Sequence, residues 1–307
     1  MAATNEEFAQ KVELHAIPSL TLSDQQFLTG DAGGKAVTVA GELRIAQGSG
    51  QLPVVVLMHG SGGIGPGPQA WVSLFNAAGI STFTLDGFTG RGLTTVGSNQ
   101  AALGRCNLII DIFRSLEVLE RHPSIDVSRI ALMGFSRGGQ AALYASVERF
   151  RRMWKTSTSD FAAYIPFYPD CGTTYLNDEI VAAKPIRIFH GTDDDANSIA
   201  NTRKYLARLR AAGANVKLIE YSGAHHAFDN PLLFGKTIET PLQSVCDCEI
   251  REIEGGMLIN AATGKPFSYD DQCVRFGPHV GGDHVATQHA FAAVSDFLGT
   301  LFGLPKD

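Results

Sequence analysis

Ser136 stands in Gly134-Phe135-Ser136-Arg137-Gly138, a G-x-S-x-G run directly after the apolar residues 130–133 and before the helix-prone residues 140–147. A hydroxyl is a poor nucleophile near neutral pH until a neighbouring base removes its proton. A nucleophile carried on a strand-to-helix elbow needs small residues two positions to either side, because the turn closes only on strained backbone angles. Gly134, Gly138 and Gly139 supply them. The helix that begins here aims its first amides at the same place, so the backbone N–H of Arg137 is a candidate donor to an oxyanion. A chance glycine-rich turn is the competing explanation, and the flanking strand and helix argue against it.

A hydroxyl nucleophile of this kind calls for an acid and a base that follow it in the order Ser, Asp, His. Two later loops offer them: Gly191-Thr192-Asp193-Asp194-Asp195 after the apolar residues 186–189, and Gly223-Ala224-His225-His226-Ala227-Phe228 after residues 216–221. Ligands and catalytic groups collect at such carboxyl ends of strands. Three adjacent aspartates are not three catalysts; solvation of the loop and capping of a helix starting near Ala196 account for two of them. A second oxyanion donor is expected from His59-Gly60-Ser61-Gly62-Gly63, as the amide of Ser61 or of Gly62. A phosphate-cradling loop is the rival there, but its Lys-Ser/Thr ending is missing. Arg91 and Arg137 could hold a substrate carboxylate through paired donors, or serve as structural partners, for example of Asp86. Phe88 is a further candidate substrate contact. His59 and His190 read as loop and strand-end architecture, His279, His284 and His289 as surface or helix residues, and Cys106 as core.

The elements that must position these groups alternate along the chain. Short apolar runs without polar alternation, at residues 54–58, 80–85, 130–133, 162–167, 186–189 and 216–219, suit strands buried on both faces. Helical periods lie between them, the clearest being Leu103, Cys106, Ile110, Phe113, Leu116 and Leu119; residues 69–78 and 196–212 end at Gly79 and Gly213, as helices do. Residues 37–39 and 43–45 alternate around Gly41 and read as an antiparallel hairpin at the sheet edge. The fold class is therefore α/β, an open and mostly parallel sheet wrapped by helices on both faces. The chain reads as one domain over residues 1–307. Residues 229–283 break the rhythm and read as an insertion or small lid with a hairpin around Gly255-Gly256, before a closing helix at about 284–301.

Five blocks, HGSGG at 59–63, LDGFTGRG at 85–92, HPSIDVSRIALMGFSRGG at 122–139, FHGTDDD at 189–195 and GAHHAF at 223–228, resemble the dienelactone hydrolase family of α/β hydrolases, in particular its larger serine-bearing bacterial relatives. The resemblance runs from about Pro53 to Leu301. It implies the α/β-hydrolase fold, cleavage of carboxylic ester or lactone bonds through an acyl-enzyme, and no cofactor or metal. The family's Gly-x-x-Asp and His-Ala-Phe patterns fall on Gly191 with Asp194 and on His226 with Ala227 and Phe228, which selects Asp194 and His226 from their neighbours. The family's namesake carries a cysteine where this chain has Ser136, and it lacks the long insertion at 229–283. The rival functions are a peptidase of the prolyl-peptidase type, which normally carries a large extra domain, and a non-catalytic binding protein on the same fold.

Bulk properties agree. In 307 residues, 44% are hydrophobic and 18% charged, and a net charge of -6 gives no footprint for nucleic acid. The longest apolar run, residues 54–58, is far short of the roughly 20 residues of a membrane span. Residues 1–10 lack a basic start and an apolar stretch, so they are no secretory signal as written, which suits a cytoplasmic chain unless a signal was removed. Compartment and oligomeric state stay open. Of five cysteines, three fall late: Cys246, Cys248 and Cys273. In an oxidising compartment Cys273 is expected to pair with Cys246 or Cys248; otherwise all three are reduced thiols. The one-residue spacing of Cys246 and Cys248 does not suit a zinc site.

Overall fold

The structure, a computed structural model, describes residues 9–304; most of the N-terminal stretch read for a secretory signal lies outside the described residues. Eight strands form the main sheet: β1 (Lys11–Thr21), β2 (Lys35–Ile45), β3 (Leu52–Met58), β4 (Ser81–Asp86), β5 (Ile125–Phe135), β6 (Ala163–Phe167), β7 (Ile186–Gly191) and β8 (Val216–Tyr221). Their spatial order is β1-β2-β4-β3-β5-β6-β7-β8. The pairs β1/β2 and β2/β4 are antiparallel, and every other pair is parallel. This is the open, mostly parallel α/β sheet that the alternation of apolar runs predicts, in the α/β-hydrolase architecture that the family resemblance implies.

The unalternating strands are explained by the two cores they serve. Val54, Val56 and Met58 of β3 face one apolar cluster, while Val55 and Leu57 face the other. The first cluster holds residues of α1 (Asp24–Thr29), α3 (Asn107–Glu120), α4 (Arg137–Tyr144), α5 (Glu148–Trp154) and α6 (Ile199–Ala211). The second holds α2 (Pro66–Ala77) and α7 (His284–Phe302). With helices on both faces, residues 53–58 of β3 and 130–135 of β5 are all buried, so no polar position marks the period there.

One expectation at the sheet edge is corrected. Residues 37–39 and 43–45 are not two arms of a hairpin but one continuous strand, β2, whose antiparallel neighbour is β1. Gly41 sits in mid-strand because a Cβ there would lie 2.3 Å from the ring of Phe83 on the adjacent strand. The glycine marks a close approach, not a turn.

Residues 229–283 form short pairings around one small apolar cluster: Thr237–Glu239 with His279–Gly281, Gln243–Ser244 with Arg275–Phe276, and the hairpin Ile250–Ile253 with Met257–Asn260. That hairpin turns at Gly255 and Gly256, both in the left-handed region, and a parallel pairing ties it to Thr173–Thr174. Cys248 and Cys273 form a disulfide in a small apolar cluster with Val245 and Ile250. Cys246 is a free thiol.

Candidate active site

Ser136 lies between the end of β5 and the start of α4 with φ 54° and ψ -116°, a conformation that non-glycine residues rarely adopt. The surrounding glycines allow it. A Cβ on Gly134 would meet the carbonyl oxygen of Gly138 at 2.1 Å, one on Gly138 the carbonyl oxygens of Met58 and His59 at 2.3 Å, and one on Gly139 that of Phe167 at 2.4 Å. The elbow is therefore wedged between β3 and β6, and the Ser136 amide donates to the Phe167 carbonyl at 3.0 Å. Strain at one residue persists because these contacts hold the backbone on both sides.

His226, in the loop after β8, brings Nε2 to 2.9 Å from the Ser136 hydroxyl and Nδ1 to 2.8 Å from Oδ2 of Asp194, in the loop after β7. The three residues selected in the sequence meet in one hydrogen-bonded row. Asp194 is buried, and its second oxygen, Oδ1, accepts from the amides of Ala196 at 3.0 Å and Asn197 at 2.8 Å. His190 adds a further contact, its Nε2 lying 3.2 Å from Oδ2 of Asp194 and 2.8 Å from the Asn197 carbonyl, while Thr202 meets its Nδ1. Burial pushes the Asp194 carboxyl upward, but the two imidazoles outweigh it and hold it well below the usual carboxylate range. It is the anion of the site.

The neighbouring candidates fall elsewhere. Asp193 accepts only from Thr192, and Asp195 pairs with His279 at the surface. His225 is half-buried and bonds the Asp193 carbonyl. His59 is buried, bonding Gly60 through Nδ1 and accepting from the Gly87 amide at Nε2, with its proton affinity lowered by burial; it braces two loops.

The Gly60–Gly63 loop passes beside Ser136: a Cβ on Gly60 would lie 3.2 Å from that of Ser136. The amides of Ser61 and Gly62 come from this loop, and that of Arg137 opens α4, where the first amides of a helix have no partner within it. A cleft of about 390 Å³ opens here, bounded by this loop, Ser136, Tyr168 and His226, and by Leu233, Leu242 and Val280 of the 229–283 segment.

Two expected substrate contacts are corrected. The Arg91 side chain is buried and fully occupied, with Nη1 and Nη2 on Asp111 at 2.7 and 2.9 Å and further bonds to Gly87, Leu20 and Thr21. Its partner is Asp111, not Asp86. Phe88 is buried with its ring 4.4 Å from that of His59 and does not border the cleft. The arginine cross-links β1 to α3, and the phenylalanine fills the space beneath the loop.

Three residues of the site carry no local signal. Tyr168, with φ 34° at the end of β6, lays its ring edge-on to His226 at 4.7 Å and donates its hydroxyl to Asp229 at 2.7 Å. Trp71 of α2 donates to the other oxygen of Asp229 at 2.8 Å. Burial pushes the Asp229 carboxyl upward against these two donors. Only the position of Tyr168 at the carboxyl end of a parallel strand, next to the strand bearing Ser136, could have drawn notice.

Residues 91–234 match the model of the dienelactone hydrolase family. Over that span the chain is similar to the dienelactone hydrolase family. Two solved structures show the same fold over nearly the whole chain. One is a dienelactone hydrolase-like promiscuous phosphotriesterase from metagenomic libraries, 14% identical with a TM-score of 0.59, covering 94% of this chain and 98% of that one. The other is esterase 2 of Thermogutta terrifontis phosphonylated by cyclosarin, 16% identical with a TM-score of 0.59, covering 88% and 92%.

Proposed function

We propose that this chain is a carboxylic ester hydrolase of the dienelactone hydrolase family, cleaving carboxylic esters or lactones through an acyl-enzyme on Ser136, with His226 as base and Asp194 as its partner. The observation that carries the proposal is the unbroken row from the strained Ser136 hydroxyl through both nitrogens of His226 to a buried, ionised Asp194. In the first half-reaction Oγ of Ser136 attacks the ester carbonyl while its proton passes to Nε2 of His226. The amides of Arg137 and of Ser61 or Gly62 hold the oxyanion. The C–O bond to the alcohol breaks, the alcohol leaves with the proton from His226, and water then releases the acid by the same route. The family name and the esterase among the structural neighbours support this chemistry over a peptidase. The substrate is a small molecule seated in the cleft, and residues 229–283 serve as one wall of it within a single domain.

Ser136→Ala tests the assignment. It should abolish labelling by a fluorophosphonate probe and lower ester turnover by about 10⁴-fold or more. Equal labelling of the variant would place the nucleophile elsewhere.

A further inference from the structure

Ser136 borders two spaces of different character. Besides the wide cleft there is a chamber of about 30 Å³, close to one water molecule's share of liquid volume, bounded by Ser61, Arg105, Arg137, Gln140, Asp170 and Tyr269 among others. His226 and Tyr168 border the cleft and not the chamber. This division orients an ester. The alcohol must take its proton from Nε2 of His226, so it departs on the His226 side, into the cleft. The acyl group then extends the other way, from Ser136 into the chamber.

The chamber's chemistry is one-sided. Nε of Arg105, Nε of Arg137 and Nε2 of Gln140 are buried donors with no hydrogen-bond partner among the described residues, and all three residues are at least nine-tenths buried. Every Nη atom of the two guanidiniums makes at least one hydrogen bond. Arg105 bonds Tyr269 and the carboxylate of Asp170, while every partner of Arg137 is a neutral oxygen, on Gln100, Leu103 and Gly104. Two guanidiniums and the Asp170 carboxylate line the chamber, and Asp24 lies behind them, accepting from the Arg105 amide. Buried donors without acceptors are costly, and an incoming oxygen relieves that cost.

We infer that the chamber is an acyl subsite for short acyl groups bearing an oxygen acceptor next to the scissile carbonyl, such as 2-hydroxy or 2-oxo acids, while the cleft takes larger apolar alcohols. This inference rests on the orientation of the ester in the proposed reaction. The small volume excludes long acyl chains; the cleft tolerates bulk in the alcohol.

The test compares kcat/KM for benzyl glycolate against benzyl propionate, and for benzyl pyruvate against benzyl isobutyrate, each pair matched in shape and normalised to its rate of hydroxide hydrolysis. The same ratios are measured in Gln140→Met and Arg105→Met, with benzyl octanoate as the length probe. The wild type should favour the oxygenated member of each pair by about tenfold, the size of one hydrogen bond to a buried donor. Gln140→Met, a swap of similar shape, should lower that ratio severalfold. If Arg105→Met fails to fold because Asp170 loses its partner, the Gln140 variant still decides. Equal normalised rates within each pair, a ratio unmoved by Gln140→Met, or octanoate turned over as fast as propionate would overturn the subsite while leaving the esterase assignment intact. Hydrolysis of none of the esters by wild type would overturn both.

Discussion

Replacing Asp194 by Asn isolates what its charge does, because the geometry around it is otherwise conserved in shape. Oδ1 accepts two backbone amides, from Ala196 and Asn197, and an amide oxygen placed there keeps both. The amide nitrogen must then take the place of Oδ2, which faces Nδ1 of His226 at 2.8 Å and Nε2 of His190 at 3.2 Å. Its N–H donates to Nδ1 of His226, which forces the ring proton onto Nε2. That nitrogen is 2.9 Å from the Ser136 hydroxyl and can no longer accept its proton. The imidazolium of the transition state also loses its counter-charge. A wrong tautomer of this kind costs about 10⁴ in kcat, or about 5 kcal/mol of barrier. Steady-state hydrolysis of p-nitrophenyl acetate by Asp194→Asn should show that loss with the fold intact by circular dichroism. Asp193→Asn and Asp195→Asn should stay within about tenfold of wild type, since their side chains bond only Thr192 and the exposed His279. An Asp194→Asn enzyme within tenfold of wild type, or an inactive Asp193→Asn, would refute the assignment of the acid.

Arg91→Met should destabilise by about 3 to 5 kcal/mol, seen in urea unfolding, because it strands the buried charge of Asp111; KM should be unchanged among folded molecules, and a raised KM would return Arg91 to the substrate site. Gly138→Ala should yield little soluble protein, since its Cβ would lie 2.3 Å from two carbonyl oxygens of the β3 loop, and a normally stable variant would contradict the packing of the elbow. In the native protein, thiol titration with a disulfide reagent should find only Cys246, with Cys106 and Cys171 emerging on denaturation, because burial pushes the Cys106 thiol up to about 12 and that of Cys171 higher still. Because the Asp194 carboxyl is held below its unfolded value, its contribution to stability is present above about pH 4 and is lost as pH falls through the folded value. The stability gap between wild type and Asp194→Asn should therefore shrink on acidification below pH 4, and a gap constant from pH 7 to pH 2 would show that Asp194 is not ionised in the folded protein.

The sequence by itself determined the alternation of buried strands and helices, because a strand covered on both faces must be apolar throughout and a helix on a sheet must repeat every three to four residues. It also determined the elbow, since the clashes at Gly134, Gly138 and Gly139 lie within five residues of Ser136 or involve strands whose place the topology dictates. The acid and base loops were legible for the same reason: each directly follows a parallel strand whose carboxyl end faces the site. Tertiary structure alone decided what depended on a partner distant in sequence. Gly41 looks like a turn until Phe83 lies across it, and β1 is hidden because an edge strand with one covered face and Pro18 within it has a weak local pattern. Arg91 stands beside the motif that carries the resemblance, yet its charge is consumed by Asp111 at the far end of a loop and inside α3. Cys248 rather than Cys246 meets Cys273 because its side chain points into the small core of Val245 and Ile250, a matter of backbone direction that spacing does not encode. His190, Tyr168, Asp229 and Trp71 come from four separate elements, and only the folded sheet sets them around one imidazole and its carboxylate, because such contacts arise from the packing of layers and not from any propensity of the residues themselves.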